Sequence, residues 1–226
     1  MNKIEKVYAL LFEKFGEQGW WPHFENGKFI YDKDSKNKPL NPKQHFEIIL
    51  GTILTQNTSW QNVEKTIKTL NLVWLISPIE LKKIPEKHLA ELIRSSGYYN
   101  QKAKKIKAVV EFLDSGKELT RENLLNVWGI GPETADSILL YAYEQPIFVI
   151  DAYTKRIMNR IGFEKKSYEE FQKLFHKSLK KDHKLFNEYH ALLVKLAKEN
   201  CKTKPTCETC PLNTNCRYHS SQGKNY

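Results

Sequence analysis

A glycine pair between two apolar segments constrains this chain more than any other feature. Residues 121–144 read RENLLNVWGIGPETADSILLYAYE. A short helix-period segment runs to Val127, and Trp128-Gly129-Ile130-Gly131 follows. Pro132 then suits the first position of a second helix. That helix would bury Ala135, Ile138, Leu139 and Ala142 at helical spacing. Glycines on either side of one apolar residue let the backbone turn sharply and come close to a ligand. The helix that follows presents its positive N-terminal end. Such a turn suits a plain αα-hairpin, and it equally suits a sequence-independent clamp on a phosphate.

The rest of the chain is patterned for helix nearly throughout. Ile4, Tyr8, Leu11 and Phe12 share one face, as do Phe46, Ile49, Leu50, Ile53 and Leu54. Asn41-Pro42 reads as an N-cap with proline at the first helical position. Thr58-Ser59-Trp60-Gln61 fits a capping box opening a helix to about Thr69. Ser77-Pro78 starts a short helix, and others are predicted over 86–95, 99–115, 121–127, 132–144, 152–162, 167–181 and 184–200. The exception is FENGKFIYDK at 24–33, where Asn26-Gly27 between aromatic residues predicts a small β-hairpin. Residues 32–41 read as a polar surface loop. No apolar run approaches the roughly 18 residues of a membrane span. MNKIEKVYALLFEKF is helical in period, with Glu5 and Glu13 interrupting it, so it does not read as a signal peptide. The expectation is an all-α cytoplasmic protein, monomeric for want of any sign of an oligomer interface.

Charge and three clusters of residues narrow the function. Thirty-six Lys and Arg against twenty-six Asp and Glu leave +10. That excess suits a polyanionic partner, because each phosphate neutralised releases a counterion. Phe148, Val149 and Ile150 form an apolar run ending in Asp151, where another helix starts. Asp151 reads first as an N-cap, and an aspartate so placed can also face a cleft. All four cysteines, Cys201, Cys207, Cys210 and Cys216, fall within sixteen residues at one end. Staples for a whole fold would be spread along it, so this set reads as one local metal site. Four thiolates can bind a [4Fe–4S] cluster or a tetrahedral zinc.

WGIGPETA, then IDAY with Asp151 eighteen residues beyond Glu133, then the cysteine cluster, resembles the helix-hairpin-helix DNA glycosylase superfamily. Within it the likeness is to the endonuclease III family and runs from about residue 43 to Cys216. The resemblance implies an all-α, two-lobed fold. A helical barrel at 40–145 would carry the glycine hairpin, and 1–39 with 146–226 would form the lobe holding the cluster. It also implies double-stranded DNA containing a damaged base as partner, in a basic cleft with Asp151 at its mouth. By resemblance Asp151 is the catalytic aspartate, Gly129 and Gly131 bind phosphate, and the cysteines hold a [4Fe–4S] cluster. Breaking an N-glycosidic bond builds positive charge on the sugar, which a fixed carboxylate stabilises while it orients an attacking water. Bifunctional members carry a lysine where this chain has Glu133. Glutamate cannot form the Schiff base, so a monofunctional, water-using enzyme is expected. Glu133 itself can simply complement the helix dipole.

The same resemblance assigns the remaining contacts. LTQNT at 54–58 is similar to the segment that enters the DNA helix, with Gln56 filling the space of the flipped nucleotide. SGYYNQKAKKI at 96–106 is similar to a second DNA-contacting loop, with Tyr98 at the wedge position. Lys102, Lys104, Lys105 and Lys107 could reach phosphates, or simply form a solvated face. Lys202, Lys204 and Arg217 around the cysteines offer further cations. Trp20-Trp21-Pro22, with Trp60 two residues beyond Thr58, resembles the bacterial 3-methyladenine glycosylase branch, where such residues line the base pocket with a residue at Glu133. A cationic alkylated purine is already a good leaving group, and aromatic faces favour it over the neutral base by roughly 0.5–2 kcal/mol per contact. Alternatives are a mismatched or damaged pyrimidine, a bifunctional glycosylase, a non-enzymatic DNA-binding module, and an iron–sulfur redox protein.

Overall fold

The computed structural model describes residues 1–31 and 39–222. Most of the polar stretch read as a loop at 32–41 lies outside the described residues. The chain divides into two compact units, Trp21–Tyr143 and Met1–Trp20 with Glu144–Tyr226.

In the Trp21–Tyr143 unit, β1 (His23–Glu25) and β2 (Lys28–Ile30) pair antiparallel, with Phe24 opposite Phe29. Asn26 (φ 49°) and Gly27 (φ 84°) both take the left-handed conformation that a two-residue turn between twisted strands needs. Next come α2 (Pro42–Leu54), α3 (Trp60–Leu72), α4 (Pro78–Lys83), α5 (Glu86–Leu92), α6 (Tyr99–Asp114), α7 (Arg121–Leu125) and α8 (Pro132–Ser137). α2 is the core element: every residue from Phe46 to Leu54 is buried, and α3, α6 and α8 pack on it. Its N-terminus carries the expected Asn41 cap, and the Gln44 side-chain oxygen accepts the Asn41 amide in return. The box read at 58–61 does not form. Ser59 is the N-cap of α3 but makes no side-chain capping bond. The single helix expected over 132–144 is α-helical only to Ser137. It then widens into a π-turn, Ile138–Ala142.

The β-hairpin belongs with this unit, whereas residues 1–39 had been expected in the other lobe. Glu47 of α2 explains the difference. Its Oε1 accepts the Phe24 amide at 2.5 Å and its Oε2 accepts the Asn71 side-chain amide at 2.9 Å. Burial pushes its carboxyl pKa up, against those two hydrogen bonds and Lys43.

The other unit holds α1 (Lys3–Phe15), α9 (Ala152–Arg160), α10 (Tyr168–Ser178), α11 (His183–Glu199) and α12 (Arg217–Gln222). α11 packs against α1 and α9. The core is aromatic: Phe148 stacks on Phe175 at 3.9 Å and meets Phe186 and Tyr189 edge-on. Each such ring fully buried is worth about 1.5–3 kcal/mol. The buried Tyr189 hydroxyl donates to the Ile4 carbonyl at 2.9 Å, so burial leaves it partnered.

Candidate active site

Asp151 is the N-cap of α9. Its Oδ1 accepts the Thr154 amide at 2.6 Å, and its Oδ2 lies 3.7 Å from Nε2 of His190 on α11. Both side chains are buried, Asp151 being 9 % exposed and His190 8 %. Burial on its own would raise the Asp151 pKa. The His190 ring and the Thr154 capping bonds outweigh that and hold the carboxyl below its ordinary range. The result is a desolvated but ionised carboxylate, which is the form that stabilises a developing cation.

The segment leading into Asp151 is extended but belongs to no sheet. Its backbone groups are taken up by one face of α10. His176 Nε2 accepts the Phe148 amide at 2.9 Å, Gln172 Nε2 donates to the Phe148 carbonyl at 2.8 Å, and the Tyr168 hydroxyl accepts the Ile150 amide at 3.3 Å. These three residues stand four apart, so a helix face does the work of a neighbouring strand. Sequence reading missed all three, and His190 too. The spacing Tyr168–Gln172–His176 was the available signal.

At the far end of α9 lie the cysteines. All four are half-buried and line one cavity with Arg160, Tyr218 and His219. Arg156 Nε donates to the Cys201 carbonyl at 2.9 Å. Arg160 donates to Cys201 Sγ at 3.3 Å and to the carbonyls of Lys202 and Thr203. Among the described residues, no three His, Cys, Asp or Glu side chains are gathered tightly enough to hold a single metal ion. Burial, and then the neighbouring thiols, push the Cys207 and Cys210 pKa values up. Lys202, Lys204 and Arg217 are exposed around them.

In the other unit the glycine hairpin is exposed and held from behind. Gly129 has φ 79°, and a Cβ there would meet the Lys105 stem at 2.6 Å. The Ile130 amide closes the turn on the Val127 carbonyl at 3.1 Å. Arg121 before the turn grips the fully buried Asp136 after it with two bonds, 2.7 and 3.2 Å. Gly131, the N-cap of α8, has an ordinary φ of −95°, and a Cβ on it would meet nothing within 4 Å. The protein's own packing therefore does not require glycine at 131. Glu133 is exposed in the first turn of α8.

The lysines of α6 do not form the phosphate-facing row that was expected. Lys102 is 2 % exposed, and its ammonium donates to the carbonyls of Leu54 (2.8 Å) and Ser96 (2.6 Å). Burial, helped by Lys105, lowers its pKa to about 8. It ties the last carbonyl of α2 to the turn before α6 and cannot reach DNA from there. Lys107 likewise donates to the carbonyls of Leu81 and Ile84. Lys104 lies 4.3 Å over the half-exposed Trp128 ring. Lys105 donates to Gln56 Oε1, and Gln56 Nε2 donates to Thr134 Oγ1 at 2.9 Å. An ammonium only donates, so this chain fixes which way the Gln56 amide faces. Tyr98 is 70 % exposed and left-handed at φ 46°, held outward at the N-terminus of α6.

The residues expected at the base pocket are only partly gathered. Trp21 meets Trp60 at 5.6 Å and Tyr141 at 5.1 Å. Phe29 of the β-hairpin meets Trp60 at 6.0 Å. Gly51 in mid-α2 makes room for Trp21, since a Cβ there would stand 2.9 Å from the indole. Pro22 is buried beside it in sequence, and Trp20 belongs to the other unit.

Comparison with known proteins places this arrangement. Residues 50–181 match the HhH-GPD superfamily of base excision DNA repair proteins. A protein of Methanocaldococcus jannaschii provisionally assigned as a DNA repair glycosylase is 39 % identical, over 95 % of this chain and 97 % of its own length. Endonuclease III of Thermotoga maritima is 32 % identical over 84 % of this chain and 91 % of its own. Among solved structures, the 3-methyladenine DNA glycosylase of H. pylori bound to 1,N6-ethenoadenine is 27 % identical, with a TM-score of 0.68 covering 88 % of this chain and 98 % of that one. An endonuclease III–DNA complex shares the fold at 22 % identity and a TM-score of 0.77, over the whole of both chains. No described helix is long and apolar enough to cross a membrane. A family match over residues 50–181 and a relative 39 % identical along nearly the whole chain leave one conclusion: the chain belongs to the HhH-GPD superfamily of base excision DNA repair proteins.

Proposed function

We propose that this glycosylase is monofunctional and hydrolyses the N-glycosidic bond of an alkylated purine such as 3-methyladenine, leaving an abasic site. The observation that carries the reading is Asp151, a buried and ionised carboxylate with Oδ1 committed to capping α9 and Oδ2 left to the chemistry. As the bond breaks, Oδ2 stabilises the positive charge on the sugar and takes a proton from the attacking water. Glu133 at the position of the family's lysine supports a route through water, because a carboxylate forms no Schiff base.

Gly129 and Gly131 would seat a backbone phosphate of the duplex. The open space over Gly131, which the fold does not itself need, supports this. Gln56, braced by Lys105 and Thr134, would fill the gap left by the flipped nucleotide, and Tyr98 would wedge the stack. Trp21 and Trp60, with Tyr141, supply the electron-rich faces for a cationic base. The likeness to a 3-methyladenine glycosylase supports that base class. The four cysteines would hold a [4Fe–4S] cluster, with zinc the alternative. The cavity that all four cysteines line, and the likeness to endonuclease III, support the cluster. Such a group would anchor the loop that Arg156 and Arg160 tie to α9.

The test is to incubate methylated duplex DNA with the protein, identify released bases by chromatography, and run the DNA on gels with and without alkali. Release of 3-methyladenine, with breaks only after alkali, is expected. No release would overturn the substrate and direct attention to mismatched and damaged pyrimidines. Breaks without alkali would overturn the monofunctional reading.

A further inference from the structure

We propose that His190 is a positioning residue for the reaction, holding Oδ2 of Asp151 in place and ionised. The inference deepens the proposed function and rests on Asp151 being its carboxylate. The two oxygens of Asp151 are not equivalent. The Thr154 amide claims Oδ1 at 2.6 Å, which fixes the carboxyl plane and leaves Oδ2 as the oxygen available to a sugar or a water. His190 Nε2 stands 3.7 Å from that second oxygen, within ion-pair range for a protonated ring. His190 is itself 8 % exposed, on the middle of α11, a helix that packs against α9. A buried carboxylate otherwise tends to take up a proton, and a protonated Asp151 could neither stabilise a cation nor accept a proton from water.

The charged neighbours leave His190 as the main counterweight. On α11, the other group acting on Asp151 is Lys198, two turns beyond His190 and exposed. On α9 itself, the Lys155 ammonium lies over the Tyr168 ring, and Arg156 and Arg160 are spent on the cysteine loop. α12 also packs on α9, and its His219 lines the cysteine cavity. Its Arg217 stem lies beside Gly162, beyond the far end of α9.

The experiment measures the Asp151 side-chain carboxyl by carbon NMR as a function of pH in the DNA-free protein. It also measures single-turnover excision against pH for the wild type, His190→Phe and His190→Gln. In His190→Phe the carboxyl titration and the acid limb of the excision profile should both move to higher pH by about one unit or more. The rate well above that limb should change little. Glutamine keeps a donor near the position of Nε2, so His190→Gln should move both less. The glutamine variant also carries the test if phenylalanine prevents folding. An Asp151 titration unmoved in a folded His190 variant would overturn the inference, as would an equal shift in Lys198→Met. If the titration moves while the wild type excises no base from any duplex, the proposed function has failed and the His190 pairing stands.

Discussion

Asp151 and the Gly129–Gly131 turn are supported in opposite ways. Around Asp151 the supports converge from the protein interior: the Thr154 backbone amide binds its carboxyl, His190 faces it, and the side chains of Tyr168, Gln172 and His176 pin the extended segment before it. The carboxylate ends up 9 % exposed. At the turn the supports lie behind, in the Lys105 stem and the Arg121–Asp136 pair, and both glycines stay at the surface. The contrast fits the role proposed for each part. A group that stabilises developing charge gains strength when it is dried and fixed. A group that grips a phosphate backbone must show its amides to the solvent side, with no side chain in the way.

That contrast can be broken first at Asp151. Asp151→Asn keeps a cap for α9 but removes the charge, and excision should fall by about 10²–10⁴-fold in single-turnover assays. A fall of less than tenfold would mean that charge at this position is not what drives the reaction. Gly129→Val is next. A β-branched residue at φ 79° is strained by about 1–3 kcal/mol and collides with the Lys105 stem. Affinity for duplex DNA should drop about tenfold or more, while the rate at saturating protein changes little. Equal loss in both would erase the distinction between the two regions.

The glycine turn, the helix at Asp151 and the cysteine set were legible because each is local: a few residues at fixed spacing with one conformational solution. What escaped the sequence depends on pairs far apart in the chain. Lys102 looks like part of a basic row, KAKK at 102–105, and nothing local says that the carbonyls of Leu54 and Ser96 will meet over its ammonium. His190 lies in an ordinary helical stretch and gains meaning only when α11 packs on α9. Glu47 gains its partners only when the β-hairpin and α3 bring Phe24 and Asn71 to it. The box read over 58–61 failed for a different reason: the helix starts one residue later, with Ser59 as N-cap, and the Ser59 side chain makes no capping bond.

Lys102 sharpens the comparison from the side of stability. Its pKa near 8 means that the folded state holds the proton less tightly than the unfolded chain does. Stability from this residue therefore rises as pH climbs from about 8 toward the ordinary lysine range. Relative to Lys102→Met, the wild type should gain thermal stability between pH 8 and 10, by a few kcal/mol at most. A constant difference would contradict the buried ammonium. The smallest effect concerns DNA. If Lys102 is structural, Lys102→Met should leave the salt dependence of duplex binding unchanged. Loss of a phosphate contact would lower that slope by roughly one unit.

The central claim is that the carboxylate does the chemistry and the grip on DNA lies elsewhere. Equilibrium binding of Asp151→Asn to a lesion-bearing duplex tests it most directly. Affinity should stay within about twofold of the wild type while the excision rate falls by two orders of magnitude or more. Affinity lost in proportion to the rate would show instead that Asp151 serves to hold the DNA.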